Sequence, residues 1–131
     1  MNPEFLDVDD VIELHAMQLA EFGGLPGLRD RGLLESALAQ AQATAFGEFL
    51  HADVVTMAAA YLFHIVRNHP FADGNKRAGL LAALVFLDIN GMQVPDGEPS
   101  LYELTLGVAE GSIDKAAVAD ALRHLTTRGD G

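Results

Sequence analysis

The eleven residues from Arg67 to Arg77, RNHPFADGNKR, hold most of the groups in this chain that could do chemistry. Eight Lys and Arg stand against nineteen Asp and Glu, and none of the eight lies between Arg31 and Arg67 or between Arg77 and Lys115. Yet Arg67, Lys76 and Arg77 crowd into this one stretch, which reads as a loop feeding a helix. A helix start exposes backbone N–H groups without partners and carries a partial positive charge. Gly74 lets a ligand approach the backbone, so Gly74, Asn75 and Lys76 form an anion cradle, to which Lys76 and Arg77 add formal charge. Asp73 is a hard oxygen ligand placed to hold a Mg²⁺ that bridges phosphate oxygens. His69 supplies an imidazole, the side chain suited to take a proton from an attacking hydroxyl near neutral pH. Base, metal ligand and cradle together describe phosphoryl transfer.

Each of these residues also has a plainer job open to it. Asp73 is well placed to cap the helix that begins at Asn75. Lys76 and Arg77 could form a solvated face or pair with the abundant carboxylates. His64 and His69 have H-x₄-H spacing, but no further ligand stands at a spacing that zinc requires. His15, His51 and His124 read as packed or exposed histidines. Phe71 anchors the loop in the core, and Pro70 stiffens its approach.

The elements that must position this loop are helical. Val8, Ile12, His15, Leu19 and Phe22 step by three and four behind an Asp7 cap, and Gly23-Gly24 ends that helix. Leu25-Pro26-Gly27 is a turn. Asp30 caps a second helix bearing Leu33, Leu34, Ala37, Leu38 and Ala41. A third follows Asp53 through Val54, Ala58, Tyr61, Leu62 and Ile65 to about Arg67. The helix resuming at Asn75 is apolar nearly all round from Leu80 to Leu87, which predicts the central buried helix, and Asn90-Gly91 stops it. Ser100 and Glu103 read as a capping box ahead of Leu104 and Leu106, with Gly111 closing that helix. Asp114 opens a last one carrying Ala117, Val118, Ala121, Leu122 and Leu125. Only Ala45–His51 and Gly91–Pro95 are left for short extended pieces. The fold class is all-α, a compact bundle of six to seven helices in one domain spanning residues 1–131.

Composition narrows the function. With half its residues hydrophobic and a mean hydropathy of +0.18, the chain can bury a real core. No cysteine means no disulfide framework, no thiolate nucleophile and no Cys-based zinc site, in keeping with a cytoplasmic protein. The start MNPEFLDVDD is acidic where a signal peptide is basic. No apolar run approaches the length that spans a bilayer, roughly 20 residues. A net charge of -11 and a pI near 4.6 argue against nucleic acid, which is bound through clustered Lys and Arg.

At its loop the chain resembles a known family. HPFADGNKR is similar to the Fic/Doc signature H-P-F-x-D-G-N-x-R, with every fixed position matched. Lys76 stands where Fic-type AMP transferases usually have Gly, and Leu80 where those enzymes carry a second Arg. Both resemble the Doc, or death-on-curing, branch. HAMQLAEFGGLPGLRDRG and LTLGVAEGSI extend the likeness over most of the chain. The resemblance implies a helical bundle with the loop between two central helices. It implies His69 as base, Asp73 as Mg²⁺ ligand and Gly74, Asn75, Lys76 and Arg77 as the cradle of ATP phosphates. It implies transfer of the γ-phosphate to a protein threonine, that of elongation factor Tu in Doc, with a halt of translation. Phe46 to Asp53 sits where relatives have a flap that aligns the target, with an ordinary loop as the other reading. No internal inhibitory [S/T]-x-x-x-E-[G/N] is present, since Leu106 precedes Glu110-Gly111, so restraint would come from a separate Phd-type antitoxin. Two other functions stay open: AMP transfer with an altered motif, and a non-catalytic binding module. The large negative charge has no counterpart in a protein that meets ATP.

Overall fold

The computed structural model describes residues 2–95 and 98–128, and there the chain is six helices with four two-residue strands. They run α1 (Val8–Phe22), α2 (Arg31–Gln42), β1 (Thr44–Ala45), β2 (Glu48–Phe49), α3 (Val54–Asn68), α4 (Asn75–Ile89), β3 (Met92–Gln93), α5 (Pro99–Glu110), α6 (Lys115–Leu125) and β4 (Thr127–Arg128). The all-α architecture and the loop between two central helices are as expected.

Four helices open behind an aspartate whose carboxylate accepts a first-turn N–H: Asp7, Asp30, Asp53 and Asp114. The remaining two, α4 and α5, open without a side-chain cap. In α5 this corrects the expected capping box. Pro99 occupies the first turn, its fixed φ already helical, so the helix starts one residue ahead of Ser100. The Ser100 hydroxyl donates back to Glu98 Oε1 at 3.0 Å instead of capping.

The core centres on α3, which packs against α2, α4, α5 and α6. Nine of its residues are buried, among them Met57, Tyr61, Leu62 and Ile65. This shifts the centre from the expected α4, whose Leu80, Leu81, Leu84 and Val85 stay partly open to solvent. Apolar residues all round α4 thus serve two ends. Ala78, Ala82, Ala83, Phe86 and Leu87 enter the core, while the leucines face outward along a cleft. Gly79 lets α4 lie close on α3, because a Cβ there would stand 2.9 Å from Val66 Cγ2 and 3.1 Å from the Leu62 carbonyl.

The short strands tie ends together. β1 and β2 form a hairpin with Thr44 opposite Phe49, and its turn residues Phe46 and Gly47 both have positive φ. β3 pairs antiparallel with β4, which sequence alone did not suggest. The amino-terminal segment is laced down by Tyr61, whose Oη accepts from Leu6 N–H at 3.0 Å, and by Asn90, which exchanges two bonds with the Glu4 backbone. No helix among the described residues is long and apolar enough to cross a membrane.

Candidate active site

The loop from His69 to Gly74 joins the end of α3 to the start of α4 and is held from three directions. Inside it, Asn75 is buried and turns its amide back on the loop. Its Oδ1 accepts from Phe71 N–H at 2.9 Å and its Nδ2 donates to the Phe71 carbonyl at 3.0 Å. Phe71, 1% exposed, plugs into the core as expected. From α1, the buried His15 ring stacks on Phe71 at 3.8 Å between centroids, and its Nε2 lies 2.7 Å from the Asp73 carbonyl oxygen. From the α1–α2 loop, the Arg29 and Asp30 N–H groups both donate to the Pro70 carbonyl, and Ala72 N–H donates to Gly27.

Two residues of the loop have left-handed backbone. Gly74, with φ 78°, adopts it freely. His69, with φ 53° and ψ 54°, does so against a steric cost. Arg29 offsets that cost. Its Nε and Nη2 both donate to the His69 carbonyl, at 2.9 and 2.6 Å, while His69 N–H closes α3 on Ile65. The imidazole is thereby thrown clear of the helix and stands exposed.

Asp73 is also exposed, and it is not the cap of α4. That position is Gly74, and no side chain closes the helix. The reason is that the Asp73 carboxylate is engaged elsewhere: Oδ2 accepts from Leu25 N–H at 3.1 Å and Oδ1 from Gly74 N–H at 2.8 Å. These two bonds, the Leu25 one first, hold its pKa below the usual carboxylate value. Fixed and ionised, with a free side toward solvent, it suits a cation that takes one protein carboxylate and completes its shell with phosphates and water, as Mg²⁺ does. No group of three or more His, Asp or Glu gathers anywhere among the described residues, so an all-protein cage for a metal is not what the chain offers there.

The start of α4 opens into a groove of about 650 Å³. His69, Asp73, Gly74, Asn75, Lys76 and Arg77 all line it, and Arg67, Tyr102 and Ala109 form its far side. The six residues singled out from the sequence are therefore brought to one place. Asn75 reaches it only through its backbone, since its side chain faces inward. Three of the chain's eight basic residues meet here with Asp73 the only carboxylate among the lining residues described, which makes a local positive site on an acidic protein. Arg77 crosses the face of Phe22, its Cζ 4.3 Å from the ring centroid. That ring is 52% exposed, so the end of the α1 stripe lies against Arg77 at the surface and not in the core.

Of the other histidines, His15 lies behind the loop against the Asp73 carbonyl, and none lines the groove. His64 Nε2 lies 3.2 Å from Lys115 Nζ, which leaves no shared metal with His69. The β1–β2 hairpin does not fit the expected flap. Asn68 Nδ2 bonds the Leu33 carbonyl where α2 begins beside the loop, and the hairpin follows the other end of α2. A helix of that length holds its two ends about 18 Å apart. The segment that does border the loop is Gly24–Asp30. Sequence reasoning assigned no role to Arg29, His15 or Leu25. The signal was present, because all three lie in HAMQLAEFGGLPGLRDRG, the stretch that carried the resemblance outside the motif.

Fold and groove together define an all-α protein that turns the uncapped start of one central helix toward a groove lined by Arg67, Lys76 and Arg77. Residues 5–87 match the Fic/DOC family, and the chain belongs to it. Among curated relatives, it is 42% identical over 117 residues to the protein named "Protein kinase doc" of Escherichia phage P1, covering 89% of this chain and 91% of that one. It is 43% identical over 91 residues to "Toxin Doc" of Mycolicibacterium smegmatis, covering 70% and 68% of the two chains.

Proposed function

We propose that this chain is a Doc-type toxin: an ATP-dependent protein kinase that moves the γ-phosphate of ATP to a threonine or serine hydroxyl of a protein. The target by resemblance is elongation factor Tu, the consequence is inhibited translation, and a separate Phd-type antitoxin restrains it. The observation that carries the reading is an exposed imidazole held beside an uncapped helix start and a fixed carboxylate, in a groove rimmed by cations. The names of the two relatives support it.

In this reading the N–H groups of Asn75, Lys76 and Arg77 receive phosphate oxygens, with the Lys76 and Arg77 side chains adding charge as it develops. His69 takes the proton from the target hydroxyl as that oxygen bonds to the γ-phosphorus and the bond to the β,γ-bridging oxygen breaks, releasing ADP. Asp73 would hold Mg²⁺, which supplies charge neutralisation to the phosphates when bound. Arg29 and His15 keep base and carboxylate in register.

The test is incubation of the chain, Mg²⁺ and elongation factor Tu with ATP labelled at the α- or the γ-phosphate. Label from the γ position, absent with His69→Ala, is expected. Label from the α position would make the chain an AMP transferase and overturn the reading of Lys76 as a mark of the Doc branch. No transfer to any protein of a bacterial lysate would leave a binding module.

A further inference from the structure

A kinase groove acts on hydroxyls, and the lining residues described in this one include a single hydroxyl of the chain's own, that of Tyr102. Tyr102 stands on α5, across the groove from the start of α4, and is 46% exposed. Ala109, seven positions on, lies two turns away on the same face, so one stripe of α5 forms the far wall. Arg67 ties that wall to the end of α3 by donating to the Val108 carbonyl at 3.4 Å. Arg77 neighbours Tyr102 twice over, because the two also line a smaller cleft of about 230 Å³. The chain's other tyrosine, Tyr61, is buried in the core with its hydroxyl held at Leu6.

Resting on the kinase reading above, we propose that Tyr102 is a modification site: the chain transfers a γ-phosphate to its own Tyr102 and so closes its groove. The phenolic oxygen bonds to the γ-phosphorus as the bond from that phosphorus to the β,γ-bridging oxygen breaks. The phenolic proton passes to His69, and ADP leaves. A phenol gives up its proton more readily than the aliphatic hydroxyl of a threonine, so this acceptor asks no more of the base than a target does. The product carries close to two negative charges and three acceptor oxygens on one wall of a groove lined by Arg67, Lys76 and Arg77. Charge-assisted bonds to those cations seat the tethered phosphate where phosphates of ATP would go, and the two compete. The chain thereby restrains itself as it turns over.

The experiment incubates the full chain with Mg²⁺ and γ-labelled ATP, maps the phosphate by peptide mass spectrometry, and then adds a bacterial lysate as acceptor. Phosphate is expected on Tyr102, at a rate per chain that does not change on dilution. Transfer to lysate proteins should start several-fold slower after that pre-incubation than without it. Tyr102→Phe keeps the ring and lacks the acceptor, so its starting rates with and without pre-incubation should match. Phosphate on another residue, or self-transfer that slows per chain on dilution, would overturn the assignment. So would a wild type that does not slow, or a Tyr102→Phe chain that slows as much. Labelled lysate proteins beside an unmodified chain would overturn it and leave the kinase reading standing. No label on chain or lysate would remove the kinase reading with it.

Discussion

Arg29 gives two N–H groups to one carbonyl, that of the residue proposed as base, and this makes it the most consequential side chain outside the loop. In Arg29→Ala the left-handed turn at His69 loses its tether, and the imidazole swings among other positions. Charge-assisted bonds of this kind stabilise by about 1.5–3 kcal/mol, so turnover should fall roughly tenfold to a hundredfold. A loss of that size should also lower the melting temperature by several degrees, so steady-state kinetics taken well below the melt, where the chain stays folded, would read the effect on the base alone. Gly24 controls the carboxylate in the same indirect way. It has φ +123°, and a Cβ there would stand 2.8 Å from Asp73 Oδ2. Gly24→Ala should push Asp73 off its two N–H donors, raise the Mg²⁺ concentration needed for half-maximal transfer several-fold, and leave His69 in place. A magnesium titration that matches the wild type would show that Asp73 has no metal to hold.

Element by element, the sequence is informative wherever the cause of structure is local. The four aspartate caps and the glycine stops follow from side chains within a turn of the helix end, and they stand where spacing puts them. The start of α5 departs from its expected box because Ser100 and Glu103 have the right letters while Pro99 has the stronger geometric claim. The centrality of α3, the β3–β4 pair and the bonds from Arg29 and His15 to the loop join residues far apart in the chain, which no local pattern encodes. One such contact makes α3 and α6 sensitive to acid. Lys115 donates to His64 across that interface, and burial first, with Lys115 second, lowers the His64 pKa to about 4. A histidine held neutral in the fold but titrating at its ordinary 6.5 when unfolded leaves stability untouched above that pH. Stability is then lost progressively as the pH falls toward 4. The ceiling is ~3 kcal/mol, cut to ~1–2 kcal/mol because His64 is only half-buried. Urea midpoints measured across that range should fall for the wild type and stay flatter for His64→Gln.

For the molecule as a whole, the charge of -11 and the cationic groove are opposite faces of one arrangement. Arg67, Lys76 and Arg77 concentrate positive charge in one small region of a chain whose net field repels anions at long range. Regulation belongs at this scale as well. With Leu106 where an internal inhibitory motif needs Ser or Thr, the purified chain should be active as it stands, and Glu110→Gly should leave its rate unchanged. A rise on that substitution would reveal an intrinsic brake at the end of α5. The uncapped start of α4 has a consequence of another kind. This central helix begins without a side-chain cap, and on the proposed reading a bound phosphate would supply what an aspartate supplies to four other helices. A nucleotide bound there as proposed would complete the helix start as well as enter the reaction. By mass action a ligand at roughly a hundred times its dissociation constant adds about 2.7 kcal/mol to stability. The lifetime of the folded chain, and its exposure to proteases, would then follow the supply of nucleotide around it, so that a cell short of ATP would shed this protein as well as slow it.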